Sequence, residues 1–312
     1  MDNLYLSVIV PVYNEEGAVA GLYQEILDVC QKINKPFEII FVNDGSSDRT
    51  LDVLKSLSPI KIINLRANFG QTAAMDAGIK AASGFYLATL DGDGQNDPAE
   101  IPKLIEKLEM DDLDVVSGWR KNRKDTFMKK FSSKCAAFIR KLLINDGIHD
   151  SGCSLKVYKS ECFKGVTLYG EMHRFIPAIL KIKGFKIGEM VVNHRPRTTG
   201  KTKYNWKRGI KGILDMFSVW FWKKYANRPL HLFGGLGILL IFISFISGLL
   251  AVCKKIFLDQ DLSDTALTEL SMFGFFTGIM FFIFGLLADI LSKNYFAIRN
   301  EEAYSIKEVI EK

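Results

Sequence analysis

The stretch LATLDGDGQNDPAEIP, from Leu87 to Pro102, sets Asp91, Asp93 and Asp97 among Gly92, Gly94, Gln95 and Asn96, directly after an apolar run. Two carboxylates two residues apart, with glycines allowing close approach, suit a hard divalent cation such as Mg²⁺ or Mn²⁺. Such an ion keeps coordination positions open for substrate phosphates. A calcium loop of the EF-hand kind starting at Asp91 would need Gly at its sixth place and Glu at its twelfth. Asn96 and Pro102 stand there, so that reading fails. A solvated turn is the plainer alternative, because Asp and Gly are ordinary turn residues. The position of the pair, at the end of a buried strand, favours a binding loop. By itself the pair indicates a divalent ion and nothing more.

The elements that would carry this loop are legible upstream. LSVIVPV (Leu6 to Val12), FEIIFVNDGS, IKIINL, FYLATLDGD and LDVVSGW are short β-branched runs. Between them, helical spacing runs over Gly17 to Lys32, Asp48 to Leu57 with Asp48 as N-cap, Gly70 to Ala82, and Pro98 to Leu108. Strands alternating with helices imply parallel βαβ units. Ligands in such sheets bind beyond the carboxyl ends of the strands. YNEE, NDGSSD, LRANFG, DGDGQND and SGWRKNRKD all follow strands, so one cleft would gather all five.

Past Arg120 the pattern changes. Phe127, Met128, Phe131, Cys135, Phe138, Ile139, Leu142 and Leu143 recur at helical spacing among lysines and arginines, as do Trp206, Ile210, Ile213, Leu214, Phe217, Trp220 and Phe221. Both segments read either as amphipathic helices on a core or as helices in a membrane interface; the runs that follow favour the interface. Leu232 to Val252 and Leu270 to Ala288 carry no charge and approach the length of a bilayer span. Lys223, Lys224 and Arg228 precede the first, and Lys293 and Arg299 follow the second, which places both termini inside despite Lys254 and Lys255 in the connection.

The chain has 312 residues, 48% of them hydrophobic, and a net charge of +6. Its start, MDNLYLSVIVPVYNEE, lacks a basic leader and is broken by Pro11, so it reads as a first strand rather than a signal peptide. Five cysteines form no CxxC pair, and four scattered histidines form no HExxH, which argues against zinc. Free thiols fit a reducing cytoplasm. Nucleic-acid binding is not indicated, because the basic residues border apolar segments rather than an aromatic-interleaved platform.

Taken in order, PVYNEE, VNDGSSDRT, RANFGQTAAMDAG, LDGDGQNDPAEIP, GWRKNRKD, HDSGCSLKVY and HRPRTTGKTKY resemble the family 2 glycosyltransferases. Within them the chain is most similar to the polyprenyl-phosphate glycosyltransferases, the group of dolichyl-phosphate mannose synthase and the bacterial bactoprenol glucosyltransferases. The resemblance runs through about residue 205, and the two-span tail matches the bacterial members. It implies a GT-A, Rossmann-like α/β fold: a mostly parallel sheet with flanking helices, amphipathic interface helices and a C-terminal two-helix transmembrane hairpin. The expected organisation is a catalytic domain over 1–204, a juxtamembrane helix over 205–228, two transmembrane helices within 229–292 (about 231–252 and 270–291) and a cytoplasmic tail over 293–312.

The resemblance also implies roles. Pro11, Tyr13, Glu15, Asp44, Asp91 and Gln95 would bind the nucleotide-sugar, with Asp44 at the base or ribose. Asp91, Asp93 and Gln95 would hold Mg²⁺ or Mn²⁺. Arg120, Lys134, Arg195 and Lys203 would meet donor and acceptor phosphates, and Asp150, Asp93 and Arg120 would be catalytic. Lys134 stands where relatives carry Arg, which keeps charge but loses the bidentate fork. HRPRTTGKTKY reads either as a solvated basic loop or as a clamp on the acceptor phosphate. His173, in MHRF, receives no catalytic role.

The reaction expected is an inverting, metal-dependent transfer of one sugar from a nucleotide-sugar to a polyprenyl phosphate. The donor is a UDP- or GDP-sugar, UDP-hexose favoured, and undecaprenyl phosphate is the favoured acceptor. The chemistry belongs at the cytoplasmic face of the plasma or inner membrane, in cell-envelope glycosylation, and the resemblance suggests a homo-oligomer. The alternatives are a processive polysaccharide synthase, which needs more spans and a QxxRW motif absent from the sequence, or an inactive membrane-anchored nucleotide-binding protein.

Overall fold

The computed structural model describes residues 4–121, 147–168, 170, 172–196, 217, 220–221, 224–225, 228–264 and 266–299. The chain divides into two compact units, Met1–Val219 and Trp220–Lys312.

The first unit is built on seven strands: β1 (Leu6–Val12), β2 (Phe37–Asn43), β3 (Lys61–Asn64), β4 (Tyr86–Thr89), β5 (Val115–Trp119), β6 (Lys156–Lys159) and β7 (Ile187–Val191). Their order in the sheet is β3-β2-β1-β4-β6-β5-β7. β1 to β4 pair in parallel, β6 runs antiparallel to both β4 and β5, and β7 pairs in parallel with β5. The five strands foreseen in the sequence therefore point the same way, and β6 and β7 complete the sheet. Because β6 is reversed, its first residue, Lys156, pairs with Thr89 and Ser117 and lies at the edge where the other strands end.

The helices are α1 (Val19–Ile33), α2 (Thr50–Lys55), α3 (Gln71–Ala81), α4 (Ile101–Met110) and α5 (Ile176–Ile182). β1 is buried along its whole length, as expected of a parallel strand covered on both faces. Its alternate residues part company: Val8 and Val10 join Leu22 and Ile26 of α1 and Leu104 and Leu108 of α4, whereas Ile9 joins Met75 and Ile79 of α3 and Ile176 and Leu180 of α5. Period-two side chains meeting period-3.6 stripes on both sides make a three-layer α/β core. α2 begins two residues later than the sequence suggests. Asp48 Oδ1 accepts from Thr50 N and Thr50 Oγ1, so its side chain closes the turn ahead of the helix rather than capping it.

The second unit contains α6 (Pro229–Leu258) and α7 (Ala266–Arg299). Pro229–Leu258 has mean hydropathy 2.7 and Ala266–Asn294 has 2.1, and both are long and apolar enough to cross a membrane. Small residues bring them together. A Cβ on Gly237 would lie 2.6 Å from Gly278 O, and one on Gly278 would lie 2.7 Å from Gly237 O. Ser247 Oγ donates to Leu267 O and Ser271 Oγ to Ser244 O, so the hydroxyls are satisfied across the seam. Phe245, Leu249, Phe273 and Phe276 face outward. The amphipathic segment over 127–143 lies outside the described residues. Of the second, Phe217, Trp220, Phe221 and Lys224 are described, and all four are helical.

Candidate active site

The loops after β1, β2 and β3 form one connected wall. Asn14 stands in the left-handed region at φ 53°; its N–H donates to Ser46 Oγ, and Ser47 N donates to its Oδ1. Glu15 N donates to Thr50 Oγ1. Pro11 is buried within β1, and Tyr13 and Glu15 are half-buried on this wall. Asp44, 3% exposed, accepts from Phe69 N at 2.7 Å through Oδ1 and from Gly70 N at 2.9 Å through Oδ2. The carboxylate expected at the base or ribose thus fixes the RANFG loop.

Gly45 makes that contact feasible. Its φ is +64°, and a Cβ there would stand 2.4 Å from the Ala67 carbonyl carbon. Gly45→Ala combines positive φ with a backbone clash, and strained positions of this kind cost about 1–3 kcal/mol. The expected outcome is a lower melting temperature together with weaker binding of a nucleoside diphosphate, read by calorimetry. An unchanged affinity would show that this wall does not shape a nucleotide pocket.

The acidic loop follows β4. Asp91 Oδ1 accepts from Gln71 Nε2 at 2.6 Å, at the start of α3. Asp93 Oδ1 accepts from Gln95 N at 3.1 Å. Gln95 Nε2 donates to Arg195 O, and Arg195 N donates to Gln95 O. Asn96 Oδ1 accepts from Ser154 Oγ at 2.8 Å and from Asp91 N. Asp97 accepts from Ala99 N at the Pro98 turn, from Asn193 Nδ2 and from Arg195. Asn96 and Asp97 are the turn and cap residues of the loop, while Asp91, Asp93 and Gln95 supply its hard oxygen donors. Burial raises the Asp91 carboxyl, and the neighbouring Asp93 charge raises it further. Two crowded carboxylates and an amide oxygen fit a divalent cation, which would relieve that repulsion. Among the described residues, no group of three His, Cys, Asp or Glu side chains converges to hold a metal.

Arg120, just past β5, meets Asp150 in a fork. Nε donates to Oδ2 at 2.7 Å, Nη2 to Oδ1 at 3.0 Å, and the Arg120 backbone N–H adds a third bond to Oδ2. Both side chains are largely shielded, at 10% and 17% exposure. Burial alone would raise the Asp150 carboxyl; the hydrogen bonds and charge of Arg120 outweigh it and hold the group below the ordinary carboxylate range. Glu189 steadies the turn, accepting from Asp150 N at 3.0 Å and from His149 N, while His149 stacks on Trp119 with centroids 4.5 Å apart.

That depressed value has a signed consequence. A carboxyl whose folded value lies below its unfolded one stabilises the protein above about pH 4, and the contribution disappears as pH falls through the folded value. Asp97 is shifted the same way: burial raises it, and Asn193, the Ala99 N–H and Arg195 together lower it. Melting temperatures measured from pH 7 down to pH 3 should fall for the wild type. Asp150→Asn should start lower and fall less over the same range; a parallel fall would contradict the assignment.

Arg195, expected at a phosphate, donates to Glu25 at 2.6 Å and pairs with Asp97 at 2.8 Å. A phosphate reaching it would compete with those carboxylates. Lys134 and Lys203 lie outside the described residues. The main residue not anticipated is Lys156, which is 2% exposed. Its ammonium donates to the carbonyls of Ser151 and Cys153, and burial pulls its pKa down. A lysine inside the apolar run LKVY was the available signal.

The profile of glycosyl transferase family 2 matches residues 7–167. A dodecaprenyl-phosphate galacturonate synthase of Rhizobium johnstonii is 37% identical, over 100% of this chain and 94% of its own length. An undecaprenyl-phosphate 4-deoxy-4-formamido-L-arabinose transferase of Pectobacterium carotovorum is 30% identical, over 98% and 93%. Among solved structures, glucosyl-3-phosphoglycerate synthase of Mycobacterium tuberculosis, in complex with Mn²⁺, UDP and glucosyl-3-phosphoglycerate, aligns with a TM-score of 0.55 at 15% identity, over 70% of this chain and 80% of that one. A mannosyltransferase of Pyrobaculum calidifontis, in complex with GDP-mannose and Mn²⁺, aligns with a TM-score of 0.51 at 16% identity, over 69% and 64%. At these identities the structural likeness bears on the fold, and the fold is the GT-A arrangement expected from the sequence.

Proposed function

The chain belongs to glycosyl transferase family 2, and from that premise we propose that it moves one sugar from a nucleotide-sugar to a polyprenyl phosphate at the cytoplasmic face of a membrane. The two relatives above are named for different sugars but for the same class of acceptor, which supports the acceptor more strongly than the donor. α6 and α7 would anchor the enzyme where that lipid lies, with both termini inside, and the unit Met1–Val219 would work in the cytoplasm as the catalytic part. UDP-hexose remains the favoured donor class and undecaprenyl phosphate the favoured acceptor.

The observation that carries the reading is the Arg120–Asp150 fork on the same sheet edge as the acidic loop. Asp91, Asp93 and Gln95 would hold Mg²⁺ or Mn²⁺, and the ion would offset the charge left on the departing diphosphate. Arg120 adds a fixed cation beside the reacting centre, useful only if it is pre-aimed, and Asp150 aims it. A lipid phosphate is largely ionised at pH 7, its second pKa lying near 6, so its oxygen can attack the anomeric carbon without a base. Attack from the face opposite the leaving group inverts that carbon. Asp150, held low by Arg120, is a poor proton acceptor, which supports positioning rather than base catalysis. Arg195, with Lys134 and Lys203, is proposed for the acceptor phosphate, and Pro11, Tyr13, Glu15 and Asp44 for the wall of the nucleotide pocket.

The test is purified protein with polyprenyl phosphate, Mg²⁺ and a panel of UDP- and GDP-sugars. Transfer from one or a few donors is expected. No transfer from any of them, with Asp93→Ala indistinguishable from wild type, would overturn the proposal.

A further inference from the structure

A small cavity of about 120 Å³ opens beneath the acidic loop. Its wall includes Asp91 on one side and Ser151 and Gly152, next to Asp150, on the other. It is far smaller than the roughly 300–1,000 Å³ of a pocket that takes a whole drug-sized ligand. It therefore suits one end of a substrate whose reacting centre lies between the acidic loop and the Arg120–Asp150 fork. On the reading above, that end is the part of the donor sugar remote from the nucleotide.

The lining has a marked charge character. Lys156 and Arg174 are basic, His173 stands beside them, and Asp91 is the one carboxylate among the lining residues. Asp91 already accepts from Gln71. Lys156 is buried, and its Nζ donates to the carbonyls of Ser151 and Cys153, which sets a basic group in a shielded place. Burying a charge is costly unless it is well compensated. Tyr158, fully buried, has a hydroxyl with no partner of acceptable geometry, while Thr89 Oγ1 beside it donates to Ser154 O at 2.7 Å. A polar group of a bound ligand would satisfy that hydroxyl. His173 Nδ1 lies 2.7 Å from Thr72 Oγ1, which holds the segment bearing Arg174 against α3.

A neutral hexose needs hydroxyl partners, which Tyr158, Thr89 and Gln71 could provide without any cation. Two basic side chains around a small polar cavity fit an anionic substituent better. A guanidinium matches a carboxylate with two parallel hydrogen bonds. We infer that this cavity is the donor-sugar subsite and that Arg174, with the basic Lys156 beside it in the lining, selects a sugar bearing a carboxylate, a hexuronate, over the corresponding neutral hexose. The inference rests on the nucleotide-sugar reading above and narrows the donor from UDP-hexoses in general to their acidic forms.

The test separates binding from transfer. Calorimetry on the full-length protein with Mn²⁺ compares UDP-glucuronate and UDP-galacturonate with UDP-glucose, UDP-galactose and UDP alone. Wild type should bind one hexuronate conjugate about 10- to 100-fold more tightly than its neutral counterpart, the range of a hydrogen bond to a charged group. Arg174→Gln should erase that difference while affinity for UDP alone stays put, and Arg174→Lys should retain part of it. Equal or tighter binding of the neutral sugars by wild type would overturn the inference. So would an Arg174→Gln variant that weakens UDP itself as much as the hexuronate, because Arg174 would then be reading phosphate. Since no acceptor lipid is present, a failure here is distinct from a failure of polyprenyl phosphate to accept sugar.

Discussion

Asp93→Ala is expected to lower turnover by about three powers of ten, because a bound metal ion supplies several kcal/mol of charge stabilisation. The fold should survive. Asp93 is half-buried at a loop, and its side-chain hydrogen bond is to Gln95 N two residues away. Removing it loses one hydrogen bond, worth about 1 kcal/mol. It also relieves the repulsion that raises Asp91. The readout that isolates the effect is Mn²⁺ binding in the presence of UDP, followed by electron paramagnetic resonance. Wild type should show a bound signal and the variant should not. A variant that still binds Mn²⁺ as wild type does would move the metal site elsewhere, whatever its activity.

Arg120→Ala carries the second large effect, and it acts on stability and chemistry together. It strands the Asp150 carboxylate in a shielded place, and breaking a buried pair from one side costs about 3–5 kcal/mol. That is a large part of the 5–15 kcal/mol by which a typical protein is stable. Turnover should fall by a further factor of about 10²–10³, the range for losing one donor aimed at developing negative charge. The double variant Arg120→Ala/Asp150→Ala separates the two. It removes both charges, so it should recover much of the stability and none of the activity. Asp150→Asn tests the division of roles. It should slow the reaction through a misaimed Arg120, with no carboxylate pKa in the pH profile of wild-type kcat. A rate that tracks a single carboxylate ionisation would make Asp150 a base instead.

The sequence made some of this site plain and hid the rest for physical reasons. Parallel strands covered on both faces read as unbroken β-branched runs, so β1 matches LSVIVPV residue for residue. The glycine and acid loops after them follow from the rule that α/β sheets bind ligands at their carboxyl edge. Asp97 as a cap was visible from the Pro98 that follows it. What local pattern could not show was pairing over distance. Arg120 and Asp150 are thirty residues apart, and their bidentate contact depends on β6 entering the sheet backwards between β4 and β5. The same reversal carries Lys156 into the site, although in sequence it is one of two lysines in the short strand KVYK. The resemblance implies a nucleotide contact for Asp44; local pattern did not show that the backbone N–H groups of Phe69 and Gly70 also donate to its two oxygens. Arg195 shows a further limit: a basic motif predicts charge, but not the carboxylates of Glu25 and Asp97 that hold it.

The helical hairpin was legible because twenty apolar residues leave little choice. Its seam was less so. Gly237, Gly278 and Ser244 look unremarkable in an apolar run, and only the packing of α6 on α7 shows that a side chain at either glycine would meet the opposite backbone.

The most direct test of the central claim is the mass of the lipid product. Purified enzyme, undecaprenyl phosphate, Mg²⁺ and the preferred nucleotide-sugar should convert the lipid to a species heavier by one sugar residue, with one nucleoside diphosphate released per lipid. A ladder of products carrying several sugars would indicate a processive synthase. Unchanged lipid with every donor tried, from protein that binds nucleotide normally, would contradict the account outright.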